Sequence, residues 1–232
     1  YITRGMGGTA RYCAELCDQL ASRHEVHLFA SVIGDDVHGD VVPHLLPSLP
    51  RFNFLASQAS LYDSWRALKK SGPFDVVHVQ GVNCPRADVS TVHVCHTARA
   101  RALAGLLPLR TRIHHRVCRF WESRLYPRFP YLIAISAKVR EELRALGRRE
   151  GIATVLHGVG SEFTPAADRG AVRKKLADWF SIPADEPWFL FVGGEFLVKG
   201  LDRVLEFLAA ARGVKPWLWV LGNDHLAHWK QE

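Results

Sequence analysis

Phe191-Val192-Gly193-Gly194-Glu195-Phe196-Leu197-Val198-Lys199-Gly200-Leu201-Asp202 passes from an apolar run through a double glycine to a lysine and a third glycine. Trp188 to Val192 reads as a strand and Gly193-Gly194 as a turn. Leu201, Val204, Leu205 and Leu208 then recur at the spacing of one helix face. A strand that runs through glycines into a helix lets the backbone approach a ligand closely. It also aims the first free N–H groups of the helix, backed by the positive end of its dipole, at that ligand. A phosphate is the natural guest. Lys199 supplies a point charge suited to a diphosphate, and a cation at a helix start is unfavourable without an accompanying anion. The segment is not a Walker loop, because its glycine-to-lysine spacing differs and Leu201 replaces the Ser or Thr that would hold magnesium.

The same device opens the chain. Tyr1-Ile2-Thr3 reads as the tail of a strand, Arg4-Gly5-Met6-Gly7-Gly8 as the loop, and Cys13, Leu16, Cys17 and Leu20 as the buried face of an amphipathic helix. Further strands are expected at residues 26–30, 75–79, 91–94, 131–135 and 152–156, with the continuously apolar 131–135 buried on both faces. Ser136 is placed to cap a helix that buries Val139, Leu143 and Leu146 and stops at Gly147. After Trp188 the expected elements are the strand, one helix and a last strand at 217–221. Strands alternating with helices predict an α/β chain with parallel sheets. The break around His157-Gly158-Val159-Gly160 and Pro165 divides it into a first lobe, 1–165, and a linker with the start of a second lobe, 166–232.

Among 232 residues, 48% are hydrophobic and 23% charged, which is the composition of a globular chain. No apolar run approaches the ~18 residues of a membrane span, and no charged-then-apolar leader opens the sequence. Five cysteines without a close repeat argue against a disulfide framework and for a reducing, cytoplasmic compartment. The net charge of +7 is concentrated in residues 99–128, where Arg99, Arg101, Arg110, Arg112, Arg116, Arg119, Arg124 and Arg128 face the single acid Glu122. Such a field attracts phosphates or an anionic membrane surface, or it is a solvated helix face. Only Phe120 and Trp121 interrupt the arginines, too few for a stacking platform, so no nucleic-acid partner is expected.

Four segments, in order, resemble retaining glycosyltransferases of family 4, and most of all their bacterial lipopolysaccharide-core branch. They are Gly7-Gly8-Thr9-Ala10-Arg11, Phe74-Asp75-Val76-Val77-His78-Val79, Ile133-Ala134-Ile135-Ser136, and Val155-Leu156-His157-Gly158-Val159 with Phe163-Thr164-Pro165. The 193–202 segment is similar to the family's donor-diphosphate loop. The resemblance implies a GT-B fold of two Rossmann-like lobes with parallel sheets, the second lobe incomplete in this chain. It implies a nucleotide-diphosphate sugar as donor, a glycan or lipid-linked acceptor, and transfer with retention. Gly7, Gly8, Gly193, Gly194 and Lys199 would bind the donor phosphates. His93 would lie beside the reacting sugar, with His96 a second catalytic candidate. Arg11, Arg112 and Arg116 would serve the acceptor or an anionic surface. No cofactor and no metal is expected, since Cys84, His93, Cys95 and His96 match no usual ligand spacing. Two departures stand out. Gly194 replaces the family's arginine, and the family's two glutamates for the donor ribose and sugar would fall beyond Glu232.

Three other readings compete, one of them a basic nucleic-acid binder, which would bind any polyanion with a steep salt dependence and no free nucleotide sugar. Gly5-x-Gly7-x-x-Ala10 fits a loose dinucleotide fingerprint, but the acid that should hold the ribose about 20 positions on is missing from Phe29-Ala30-Ser31. A non-catalytic nucleotide- or anion-binding module would keep the loops and lack the chemistry, and Gly194 favours it.

Overall fold

The computed structural model describes residues 2–37, 40–47, 54–103, 109–160, 163–213, 215–222 and 224. The chain divides into two compact units, Tyr1–Val159 and Gly160–Glu232.

In the first unit, Ile2 makes a parallel bridge to Ile33, and a 3-10 turn at Arg4–Met6 leads into helix α1, Gly8–Ala21. Strands β1, Val26–Ala30, and β2, Val41–Leu45, form one parallel pair. Helix α2, Phe54–Lys70, precedes β3, His78–Gln80, and β4, Val89–Val92. Helices α3, His96–Ala102, and α4, Leu109–Leu125, separate β4 from β5, Tyr131–Ala134. Helix α5, Ala137–Ala145, and β6, Ile152–Thr154, complete a four-stranded parallel sheet in the order β3-β4-β5-β6.

Ser136 caps α5 by accepting from the Val139 N–H, and Gly147 at φ 94° ends that segment, as the sequence requires. Val139 and Leu143 pack with Leu125, Phe129, Leu132 and Val92 in the core.

Three expectations are corrected. Strand β5 is buried only at Leu132 and Ala134. Tyr131 is 63% exposed because it opens the strand at the sheet's amino end. Strand 75–79 is displaced to 78–80, and 91–94 to 89–92, so His93 lies just past a strand end. On α1 the buried set is Ala10, Cys13, Ala14 and Cys17, while Leu20 is exposed. The 13-16-17-20 face lines a cavity of about 1660 Å³ whose walls include residues of both β1 and β3.

The second unit has helix α6, Arg169–Phe180, capped by Asp168, and a parallel pair of β7, Trp188–Val192, and β8, Trp217–Leu221. Between these strands lie the one-turn helix α7, Phe196–Lys199, and α8, Leu201–Ala210. Among the described residues, no helix is long and apolar enough to cross a membrane.

Candidate functional site

The first unit gathers polar rings at the carboxyl ends of β3 and β4, where the loops leaving parallel strands form the usual ligand crevice of an open α/β sheet. His93 follows the last residue of β4 and bonds through Nε2 to Gln80 Oε1 at 2.8 Å. Its ring meets Tyr12 edge-on at 5.0 Å and His157 at 5.2 Å, and Tyr12 stacks on His157 at 4.8 Å. Thr91, fully buried, joins the group from below: its Oγ1 pairs with His78 Nε2 at 2.8 Å and lies 3.4 Å from the Tyr12 hydroxyl. Burial first, then the neighbouring His157 and His78, push the His93 imidazole down to about 4. His93 is therefore neutral at physiological pH. With Gln80 Oε1 as acceptor, its Nε2 carries the proton and Nδ1 is left to accept one.

The glycine loop is held beside this cluster by ionic contacts of the residue before it. Arg4 pairs with Glu15 and Asp18 on α1, while Asp36 accepts from the Thr3 hydroxyl and the Arg4 N–H. Gly7 sits at φ 109°, a conformation costly for any residue with a Cβ, and forms the N-cap of α1 without a side-chain bond. Among the described residues, no atom apart from the chain neighbours and the helix's own backbone lies within 4 Å of the Cβ positions at Gly7 or Gly8. Arg11 lies on α1 within reach of Glu15, at 3.9 Å.

His96 belongs to a different group from His93. It opens α3, its Nδ1 is 3.2 Å from His115 Nδ1, and its ring lies against His114. Burial pushes it, too, down to about 4. Under it, Glu122 of α4 is 1% exposed and accepts from the His96 N–H at 2.6 Å, the Thr97 N–H at 2.9 Å and the Thr97 hydroxyl at 2.7 Å. A carboxylate from one helix thus caps the start of another. Arg112 and Arg116 are exposed on α4 and share one side of it with Arg119.

In the second unit the 193–202 segment takes a shape that corrects the reading of Lys199. Lys199 is the last residue of α7, where the helix dipole favours a cation, and Gly200 in the left-handed region separates it from α8. Its stem lies along Gly193, whose Cβ position is 3.4 Å from Lys199 Cγ. Glu195 is left-handed at φ 52°, and the N–H of Phe196 that follows donates to Asp224 Oδ2 at 2.6 Å. A carboxylate therefore occupies the first helix start after the double glycine. The next one, α8, has no side-chain cap and carries Lys199 just ahead of it.

The sequence reading missed Tyr12, Gln80, Thr91 and His157 as one cluster, Glu122 as a cap, and Asp224. Gly222 was also missed, though a glycine directly after the apolar 217–221 run is a usable signal. Its Cβ position would be 1.8 Å from the Gly193 carbonyl oxygen, so only glycine fits behind the loop.

The sequence profile of Glycosyltransferase Family 4 matches residues 6–163. This chain belongs to glycosyltransferase family 4. The matched residues include the His93 cluster with Gly7 and Gly8, whereas Gly193, Gly194 and Lys199 lie beyond them. Among solved structures the chain is similar to WaaG, described as a glycosyltransferase involved in lipopolysaccharide biosynthesis, with a TM-score of 0.77 and 18% identity. The match covers 100% of this chain and 64% of that one. The family-4 chain thus has an α/β fold of the GT-B type with parallel sheets. No curated protein matches it.

Proposed function

We propose that the protein to which this family-4 chain belongs transfers a sugar from a nucleotide-diphosphate sugar to a glycan or lipid-linked acceptor, with retention, at the cytoplasmic side of a membrane. The observation that carries the reading is the ring cluster of Tyr12, His93 and His157 at the carboxyl ends of β3 and β4. A neutral imidazole flanked by aromatic faces suits an uncharged sugar: the rings cover its apolar faces, and Nδ1 accepts from a hydroxyl. In the second unit, taken by itself, Lys199 and the uncapped start of α8 suit a diphosphate. Arg11 is assigned to the acceptor, and Gly7 and Gly8 to phosphate, which a glycine turn at a helix start lets approach closely.

The test is turnover of a panel of nucleotide-diphosphate sugars by the full-length protein, with Lys199→Ala and His93→Ala beside it. Lys199→Ala is expected to weaken nucleoside-diphosphate binding about tenfold, the scale of one charge-assisted contact. His93→Ala is expected to lower kcat more than it changes donor affinity. Absence of any nucleotide-sugar binding would overturn the reading. Binding without turnover would favour a non-catalytic module, to which the Asp224–Phe196 contact and the glycine at 194 lend support.

The membrane assignment rests on α4. Arg112, Arg116 and Arg119 flank an exposed line of Leu109, Ile113 and Phe120, with Arg124 on its other side. An apolar strip between cations is the pattern of a helix lying in an anionic interface. The chain is expected to sediment with anionic vesicles, hardly with neutral ones, and to be released by salt. Equal sedimentation with both would refute it.

A further inference from the structure

We propose that His96, His114 and Cys118 form a divalent-metal site of the zinc type that clasps α3 to α4. One ring nitrogen of each histidine and the Cys118 sulfur all lie within 4.8 Å of one another. Bonds of about 2.0–2.3 Å in a tetrahedral zinc site put its ligand atoms roughly 3.3–3.7 Å apart. The Cys118 Sγ to His114 Nε2 distance is already 3.4 Å, and the widest separation needs to close by only about an ångström, within reach of small rotamer changes. Two ligands come from positions i and i+4 of α4, which share a helix face. The third comes from the first residue of α3, fixed in place because Glu122 accepts its backbone N–H. His115, 4% exposed, adds a partner outside the ligand set: its Nδ1 is 3.2 Å from His96 Nδ1 and holds that ring's orientation, as partners behind metal-bound histidines do. His114 and Cys118 line the large cavity of the first unit, which gives an ion its path of entry.

The ligand chemistry is selective. Two imidazoles and a thiol suit a borderline-soft ion and reject magnesium or calcium, which take oxygen. Three protein ligands leave one position for water. The expectation of no metal was drawn from Cys84, His93, Cys95 and His96. The set found here shares only His96 with it, and the His114-x-x-x-Cys118 spacing was its one sign in the sequence.

The experiment is a Co²⁺ titration of the whole chain after chelation under reducing conditions. The expected result is one Co²⁺ per chain with a thiolate-to-cobalt charge-transfer band and the strong visible bands of a tetrahedral ion, both bleached by Zn²⁺. Cys118→Ser should abolish the charge-transfer band and weaken affinity more than tenfold. His114→Gln, on the exposed side of α4, should weaken affinity comparably and serves if the serine variant fails to fold. No thiolate band in the parent chain would overturn the site, as would a band that persists in Cys118→Ser or an affinity unchanged in His114→Gln.

Discussion

Glu122 sits in an environment that its neighbours in sequence do not suggest. It is the one acid among the arginines of residues 99–128, yet it turns inward and takes three donors from the start of α3. Burial raises its pKa above the ordinary 4.5, partly opposed by those hydrogen bonds. A carboxyl that holds its proton more tightly folded than unfolded contributes most stability below 4.5 and loses it as pH rises through its folded pKa. Glu122→Gln keeps one acceptor but turns an N–H₂ toward Thr97, leaving buried donors facing a donor. We expect it to destabilise the chain by about 1–3 kcal/mol near pH 5. The gap to the parent should narrow as pH rises, because the glutamine has no ionisation to favour. Urea unfolding across that range checks both, and a gap that is absent or widens with pH refutes the account. His93 responds in the opposite sense: with its pKa pushed down to about 4, its contribution is complete above 6.5 and falls as pH drops toward 4.

At the scale of elements, the double-glycine loop of the second unit depends on contact between two strand ends. The N–H of Gly193 donates to the Leu221 carbonyl at 2.8 Å, and Gly222 lies against the Gly193 backbone too closely for a side chain. Gly222→Ala is therefore expected to push the double-glycine turn out of place and to cost more than the ~1 kcal/mol of an ordinary glycine replacement. Heteronuclear NMR should show shifts concentrated at residues 192–200, and a spectrum unchanged there would refute the packing argument. These strands were legible beforehand because Trp188–Val192 and Trp217–Leu221 are apolar runs of β-formers bounded by Pro and Gly. Strand β2 was not, since Pro43 falls in its middle and proline is tolerated there only because β2 lies at a sheet edge. In sequence, helix α4 shows only as a charge field, because its buried anchors His115, Glu122 and Leu125 include two polar residues and so draw no apolar face. The ring cluster was illegible for another reason. Its members come from positions 12, 78, 80, 91, 93 and 157, and only the sheet topology brings them together.

Across the whole molecule, burial is uneven between the two units. In the first, Ser90, Thr91, Val92, Leu132 and Ala134 on β4 and β5 are sealed from solvent. In the second, Leu190, Val192 and Leu221 are more than half exposed, and Phe189, Trp217 and Val220 are exposed as well. Two paired strands supply few long-range contacts, and such a pair is marginal without further strands or a covering layer. The ring contacts of Trp219 with Phe180 and Trp188 bury part of one face. Local stability follows buried apolar contact, so the units should open at different free energies. Hydrogen exchange followed by mass spectrometry on the whole chain is expected to show the slowest amides at residues 90–92 and 132–134. Residues 188–192 and 217–221 should exchange at least a hundredfold faster, and urea should melt the second unit first. A dye that fluoresces on apolar surface should bind the native chain and lose that signal in the earlier transition. If exchange is equally slow in both sheets and unfolding is a single transition by every probe, the two units form one cooperative body, and the exposed aromatic strands of the second are covered in solution.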